Sequence, residues 1–190
     1  MLALGVPTAA AWTEAVLADF DRFLVDHAAA ERKASATGMS FVVRYPDRPA
    51  LLGPLIEFAR EELGHFAQVV RLCHDRGLQL AADTPDPYVG ALLKRVRTGR
   101  DDRLLDRLLC AGVVEARGCE RFGLLAHALP PGPLQVFYEE ITRSEARHHG
   151  LFVRLASETF DAAEVEARHR EWLAYEAEVV AGLPVRAALH

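Results

Sequence analysis

Apolar residues recur at helical spacing in four long runs, and pairs of prolines divide those runs into two hairpins. The first run opens at Pro7 and Thr8, with Thr8 placed to cap a helix. Trp12, Val16, Phe20, Phe23, Leu24, Ala28, Ala34 and Ser35 then mark one face as far as Arg44. Tyr45 to Pro49 holds two prolines and reads as a turn. A second helix is predicted over Ala50–Arg76, closed by Gly77 just past its end. Asp83 to Pro87 is a polar break, after which Tyr88–Arg97 predicts a shorter helix crossing between the hairpins. A third long helix covers Asp101–Ala128, and Pro130, Pro131, Gly132 and Pro133 make the second turn. The fourth spans Leu134–Ser157. A last helix, Ala162–Val180, carries Trp172 and Tyr175 and is expected to pack across the bundle. The prediction is an all-α four-helix bundle of two hairpins with added crossing and C-terminal helices, in one domain over residues 1–190.

Three of the apolar lines contain charged residues where only apolar ones would be expected. The second helix reads Leu55, Phe58, Glu62, His65, Val69, Cys73. The third reads Leu104, Leu108, Ala111, Glu115, Cys119, Phe122, and the fourth Phe137, Ile141, Glu145, His148, Phe152, Leu155. Glu-x-x-His places a carboxylate and an imidazole one turn apart on one helix face, which is a metal-ligand spacing. A shift of 83 to 84 residues carries Glu31 onto Glu115, Glu62 onto Glu145 and His65 onto His148. Glu61 and His149 have no counterpart under that shift and are left out. The midpoint of Glu31 and Glu62 falls between Pro46 and Asp47, and that of Glu115 and Glu145 falls on Pro130. At ~1.5 Å rise per residue, all four glutamates then lie about 20 Å from their turns. One Glu from each of two helices plus a Glu-x-x-His from each of the others is the ligand set of dinuclear iron or manganese sites in such bundles. Two divalent ions would cancel the four carboxylate charges and make their burial tolerable. His27, one turn before Glu31, is expected to be a supporting or core histidine.

Composition narrows the setting more than the chemistry. With 190 residues, 51% of them hydrophobic, the chain suffices for one sizeable core. The net charge is −5, yet only two of the 22 basic residues are lysine, so a local arginine-rich face stays possible. Lys94, Arg95, Arg97, Arg100, Arg103 and Arg107 form the densest basic stretch and are the candidate contacts for phosphates. A solvated linker with local salt bridges is the alternative reading of the same stretch. Cys73, Cys110 and Cys119 are odd in number and lack a zinc or Cys-x-x-Cys spacing, so reduced, buried thiols in the cytoplasm are expected. No stretch is long and apolar enough to span a membrane.

Four stretches carry a resemblance to a known family: Asp26-His-Ala-Ala-Ala-Glu-Arg-Lys33, Ala59-Arg-Glu-Glu-Leu-Gly-His-Phe66, Glu115-Ala-Arg-Gly-Cys-Glu-Arg-Phe122 and Ser144-Glu-Ala-Arg-His148. With the Arg44-Tyr45-Pro46 turn, they resemble the MiaE family of tRNA 2-methylthio-N6-isopentenyladenosine hydroxylases, from about Pro7 to beyond His148. Gly64 and Gly118 stand where a larger residue is expected, and the tail past Phe160 departs from the pattern. The resemblance implies a ferritin-like fold and a monooxygenase that hydroxylates the isopentenyl group beside the anticodon. It also implies two iron ions, O2 as co-substrate and an external electron donor, a reductase or ferredoxin. Glu31, Glu62, His65, Glu115, Glu145 and His148 would be the ligands, with Glu62 and Glu145 bridging. A monomer is expected. The six residues by themselves leave open a ferritin-like iron oxidase or storage subunit, another di-iron oxidase acting on a small molecule, or a bundle without chemistry.

Overall fold

The computed structural model describes residues 4–80, 82 and 84–190, and these contain seven α-helices and no strand. They are α1 (Ala10–Ala18), α2 (Phe20–Arg44), α3 (Pro49–Asp75), α4 (Pro87–Leu93), α5 (Arg100–Ala128), α6 (Pro133–Thr159) and α7 (Ala162–Gly182). The all-α class and both long hairpins are as predicted. The chain forms two compact units: an N-hairpin unit of Glu14–Thr84 with Arg186–Leu189, and a C-hairpin unit of the residues up to Thr13, Pro85–Val185 and His190.

In the N-hairpin unit α2 and α3 pack along their length. Phe23, Leu24, Ala28, Phe41, Leu55, Phe58 and Val69 are buried, so the 3.6-residue period of each helix becomes its inward face. Gly38 permits close approach, because a Cβ there would lie 2.8 Å from the Phe58 ring and 3.0 Å from Ala59 Cβ. The end of α3 fits the expected glycine signal. Gly77 has φ +72°, its N–H donates to His74 O, and Leu78 N–H donates to Cys73 O. Helix ends leave carbonyls without partners, and these two bonds satisfy a pair of them.

The C-hairpin unit packs α5 on α6 and adds α4 and α7 to the same body. Leu104, Leu108, Phe122, Tyr138, Ile141, Phe152 and Trp172 form its core. Tyr138 takes the buried place expected of its neighbour Phe137, which is half-buried.

Three predicted details differ. The first helix is not continuous to Arg44. It breaks at Asp19, whose backbone leaves the helical region (φ −137°, ψ 60°) while its carboxylate accepts from Arg22 N–H and restarts α2. Thr8 does not cap it either. Its N–H and hydroxyl donate to Glu120 at 3.0 and 2.6 Å, a half-buried carboxylate outcompeting a local cap. The short helix ends at Leu93 rather than Arg97, because Arg97 N–H donates to Asp106 at 2.8 Å and its guanidinium to the same carboxylate at 3.0 and 3.1 Å. That helix packs on α5 and α7. Asp83, the start of the predicted polar break, lies outside the described residues.

Candidate metal centre

Helix α2 supplies Glu31 to the N-hairpin unit's cluster, and α3 supplies Glu62 and His65. All three are buried, at 3, 1 and 7% exposure, although charged side chains are rarely buried without partners. Each offers a ligand atom within 4.8 Å of the others. His65 Nδ1 stands 3.3 Å from Glu62 Oε2 and 3.6 Å from Glu31 Oε2. Across from them His27, fully buried, holds Glu31 Oε1 at 2.6 Å from its Nε2. Burial by itself would push the Glu31 carboxyl up, but the hydrogen bonds from His27 and His65 outweigh it and keep Glu31 well below the usual carboxylate range. Burial likewise pushes His65 down, and Glu31 and Glu62 reverse this and raise it to about 10. The donors therefore demand positive charge.

The C-hairpin unit repeats the arrangement with Glu115 from α5 and Glu145 and His148 from α6. These are buried too, and their ligand atoms also lie within 4.8 Å of one another. His148 Nδ1 is 3.7 Å from both Glu115 Oε2 and Glu145 Oε2. Cys119, one turn beyond Glu115, has its thiol raised to about 11 by burial and then by Glu145 and Glu115, so it stays protonated and its Sγ donates to Thr142 O. In each unit two carboxylates and a neutral imidazole would be balanced by one divalent ion. Oxygen and imidazole donors suit iron or manganese better than a thiolate-seeking metal, so the residues present fit such an ion.

A family model described as tRNA-(MS[2]IO[6]A)-hydroxylase (MiaE) matches residues 2–190. The chain belongs to the MiaE family. It is 38% identical over 162 residues to a tRNA 2-(methylsulfanyl)-N(6)-isopentenyladenosine(37) hydroxylase of Pseudomonas putida, an alignment covering 85% of this chain and 78% of that protein. A protein of the same name from Salmonella typhimurium is 37% identical over 130 residues, 68% of this chain and 47% of that one. Among solved structures, "Protein 43 with aldehyde deformylating oxygenase activity from Synechococcus" superposes with a TM-score of 0.91 at 35% identity, covering 97% of this chain and 92% of that one. The fold class is thus the all-α, ferritin-like one that the resemblance implied.

The family match reaches His190, so the tail past Phe160, set outside the resemblance on its residues alone, lies inside the MiaE span. That tail is built into the C-hairpin unit. Arg117, fully buried on α5, makes a two-pronged pair with Glu176 of α7 at 2.7 and 2.9 Å, and Tyr88 donates to the same carboxylate at 3.1 Å. Arg117 also donates to Glu120, Thr8 Oγ1 and Val6 O, which ties the start of this MiaE-family chain to α5. No local pattern announces a pair 59 positions apart. The basic stretch is partly absorbed into the fold. Arg97 pairs with Asp102 and Asp106, and Arg95 lies over the Tyr175 ring and 3.8 Å from Glu171. Arg103 and Arg107 are half-buried, while Lys94 and Arg100 are exposed. His149, left out of the ligand set, bonds Gly112 O at 2.8 Å. All three cysteines are buried and free, and no helix among the described residues is long and apolar enough to cross a membrane.

Proposed function

We propose that this chain hydroxylates the isopentenyl group of N6-isopentenyladenosine or its 2-methylthio derivative beside the tRNA anticodon. In this reading Glu31, Glu62, His65, Glu115, Glu145 and His148 would hold two iron ions, and residues 1–190 act as one functional domain. The observation that carries it is the pair of buried Glu/Glu/His triads in a chain of the MiaE family. The names of the relatives supply the substrate class.

An allylic C–H bond needs an oxidant that no side chain provides, and bound iron with O2 supplies it. The balance is simple. One oxygen atom of O2 enters the C–H bond as hydroxyl, and the other leaves as water with two protons and two electrons from an external reductase or ferredoxin. The chain's own groups hold and shield. His27 fixes the orientation of Glu31 through its 2.6 Å contact, as a support to a ligand should. Buried Phe58 and Val69, one turn to either side of Glu62 and His65 on α3, and buried Phe152, one turn past His148 on α6, keep bulk water from the ligands. Lys94, Arg95, Arg100, Arg103 and Arg107 remain the candidate phosphate contacts, with Arg97 spent on Asp106. The protein acts in the cytoplasm as a monomer.

Nucleoside analysis of tRNA from cells with and without the protein tests the reading. Hydroxylated isopentenyladenosine should appear only with it, and an unchanged level would refute the assignment. A second reading, oxidative deformylation of an aldehyde, is favoured by the Synechococcus neighbour named for aldehyde deformylating oxygenase activity. Release of formate from an aldehyde by the purified protein, with tRNA left unmodified, would select it.

A further inference from the structure

We infer that the outer face of α6, built from Arg143, Arg147 and Arg154, receives phosphates of the substrate RNA beside the nucleoside being modified; this rests on the hydroxylase reading. The three arginines stand at i, i+4 and i+11, a spacing that keeps them on one face of the helix. All three are exposed. From Ile141 to Ser157 the only acid is Glu145, which is buried, so the charges this stretch exposes are all positive. The Arg143 guanidinium has no partner among the described residues, although Glu139 and Glu140 lie one turn back. Arg147 is braced by Arg143 O and Ser144 Oγ at 3.2 and 3.1 Å, and Arg154 meets Glu158 at 3.3 Å in an exposed pair of little strength. Gly150 lies on the same stripe, and a Cβ there would meet nothing within 4 Å, so no other described element covers the face at that point.

The same helix buries Glu145 and His148 on its inner side. A helix with its side chains is about 10–12 Å across, so a nucleoside whose reacting group reaches those two residues brings its phosphates close to the outer face. Arginine's planar fork matches a phosphate with two parallel bonds. The densest basic stretch of the sequence offers less free charge, because Arg97 is committed to Asp102 and Asp106, and Arg95 lies against Glu171 and Tyr175. Helix α3 is an internal control. A shift of 83 residues carries Arg60 onto Arg143 and Arg71 onto Arg154, but it carries Gly64 onto Arg147, and Glu57 holds Arg60 at 2.9 and 3.0 Å. An acidic reductase would be drawn by the same charge on α6, but only the substrate has to present its reacting carbon to the residues this helix turns inward.

The test compares a variant combining Arg143→Gln, Arg147→Gln and Arg154→Gln with one combining Arg60→Gln and Arg71→Gln, each in the full chain. Binding of a prenylated anticodon stem–loop RNA to the purified protein without reductant is titrated over a range of salt, and iron per chain, thermal unfolding, and kcat and KM for the RNA and for the reductase are measured. Glutamine forms helices nearly as well as arginine, so folding should be kept. The α6 variant should lose about tenfold or more in RNA affinity, and its slope of log K against log salt should fall by about 2. KM for RNA should rise with kcat and iron content kept, and the α3 variant should match wild type. Arg143→Glu, which breaks no bond among the described residues, should by itself weaken binding about tenfold, and it decides the matter if the triple variant loses stability. An unchanged salt slope in the triple variant, or unchanged affinity in Arg143→Glu, would overturn the inference. So would a raised KM for the reductase with RNA binding intact, which would give the face to the electron donor. Wild-type protein that neither binds nor hydroxylates prenylated RNA would instead overturn the hydroxylase reading, and the inference with it.

Discussion

The two triads share a ligand set but not their surroundings. In the N-hairpin unit His27 clamps Glu31 at 2.6 Å and His65 lies 3.3 Å from Glu62; in the C-hairpin unit His148 stands 3.7 Å from both glutamates, and Ala111 occupies the position matching His27. The repetition extends below the ligands. Ser35 Oγ donates to Ala59 O at 2.7 Å, and at the matching place Cys119 Sγ donates to Thr142 O at 3.3 Å. One half is braced by stronger donors. A repeated sequence motif thus builds two inequivalent triads, and part of the difference lies in residues outside them.

The comparison can be broken most severely at the ligands. Glu62→Ala and Glu145→Ala should each lower hydroxylation by on the order of 10³-fold and reduce bound iron from about two equivalents per chain to about one or fewer, read by metal analysis. Equal iron content in both variants and wild type would remove the triads from the site. Next in size is a change confined to the C-hairpin unit. Asp106, fully buried, takes two hydrogen bonds each from the side chains of Arg97 and Arg168, and Asp106→Asn should destabilise the protein by about 3 kcal/mol by denaturant titration. Burial pushes the Asp106 carboxyl up, but Arg168 and Arg97 overcome it and lower it from 3.8 to about 2. A lowered carboxyl contributes stability above its unfolded value and loses it as pH falls through the folded one. Wild type should therefore lose this contribution between pH 3.8 and about 2, and Asp106→Asn should show a shallower acid limb there.

His27→Ala sharpens the contrast directly. It should weaken iron binding about 10- to 100-fold at one site of two, giving a biphasic titration, whereas Ala111→Ser should leave the titration nearly unchanged. The smallest effect separates the matched backbone bonds. Ser35→Ala should cost about 1 kcal/mol and Cys119→Ala less, since a thiol donates weakly, and equal losses would show that the two halves are braced alike.

Much of this was legible along the chain because it is periodic and local. Glu62 and His65 are three residues apart on a helix whose apolar stripe includes both, so their burial and mutual reach follow from helix geometry. The shift of 83 to 84 residues and the proline turns midway between paired glutamates extended that reasoning to the second triad. Gly77 ended α3 where only a left-handed residue closes a helix with both terminal bonds made.

Other features depended on which distant backbones meet. Asp19 interrupts the first helix, Arg97 leaves its helix for Asp106, and Thr8 caps nothing because Glu120 holds it. Arg117 finds Glu176 across 59 positions. Gly118 looked like the same departure as Gly64 until one proved buried beside Glu145 and the other open to solvent. Spacing along a helix determines which side chains share a face. Which partner a buried charge takes, and whether an absent side chain leaves a gap or a contact, is decided only when the packed elements fix their distances, because desolvation and van der Waals terms act over a few ångströms of space and not along the chain.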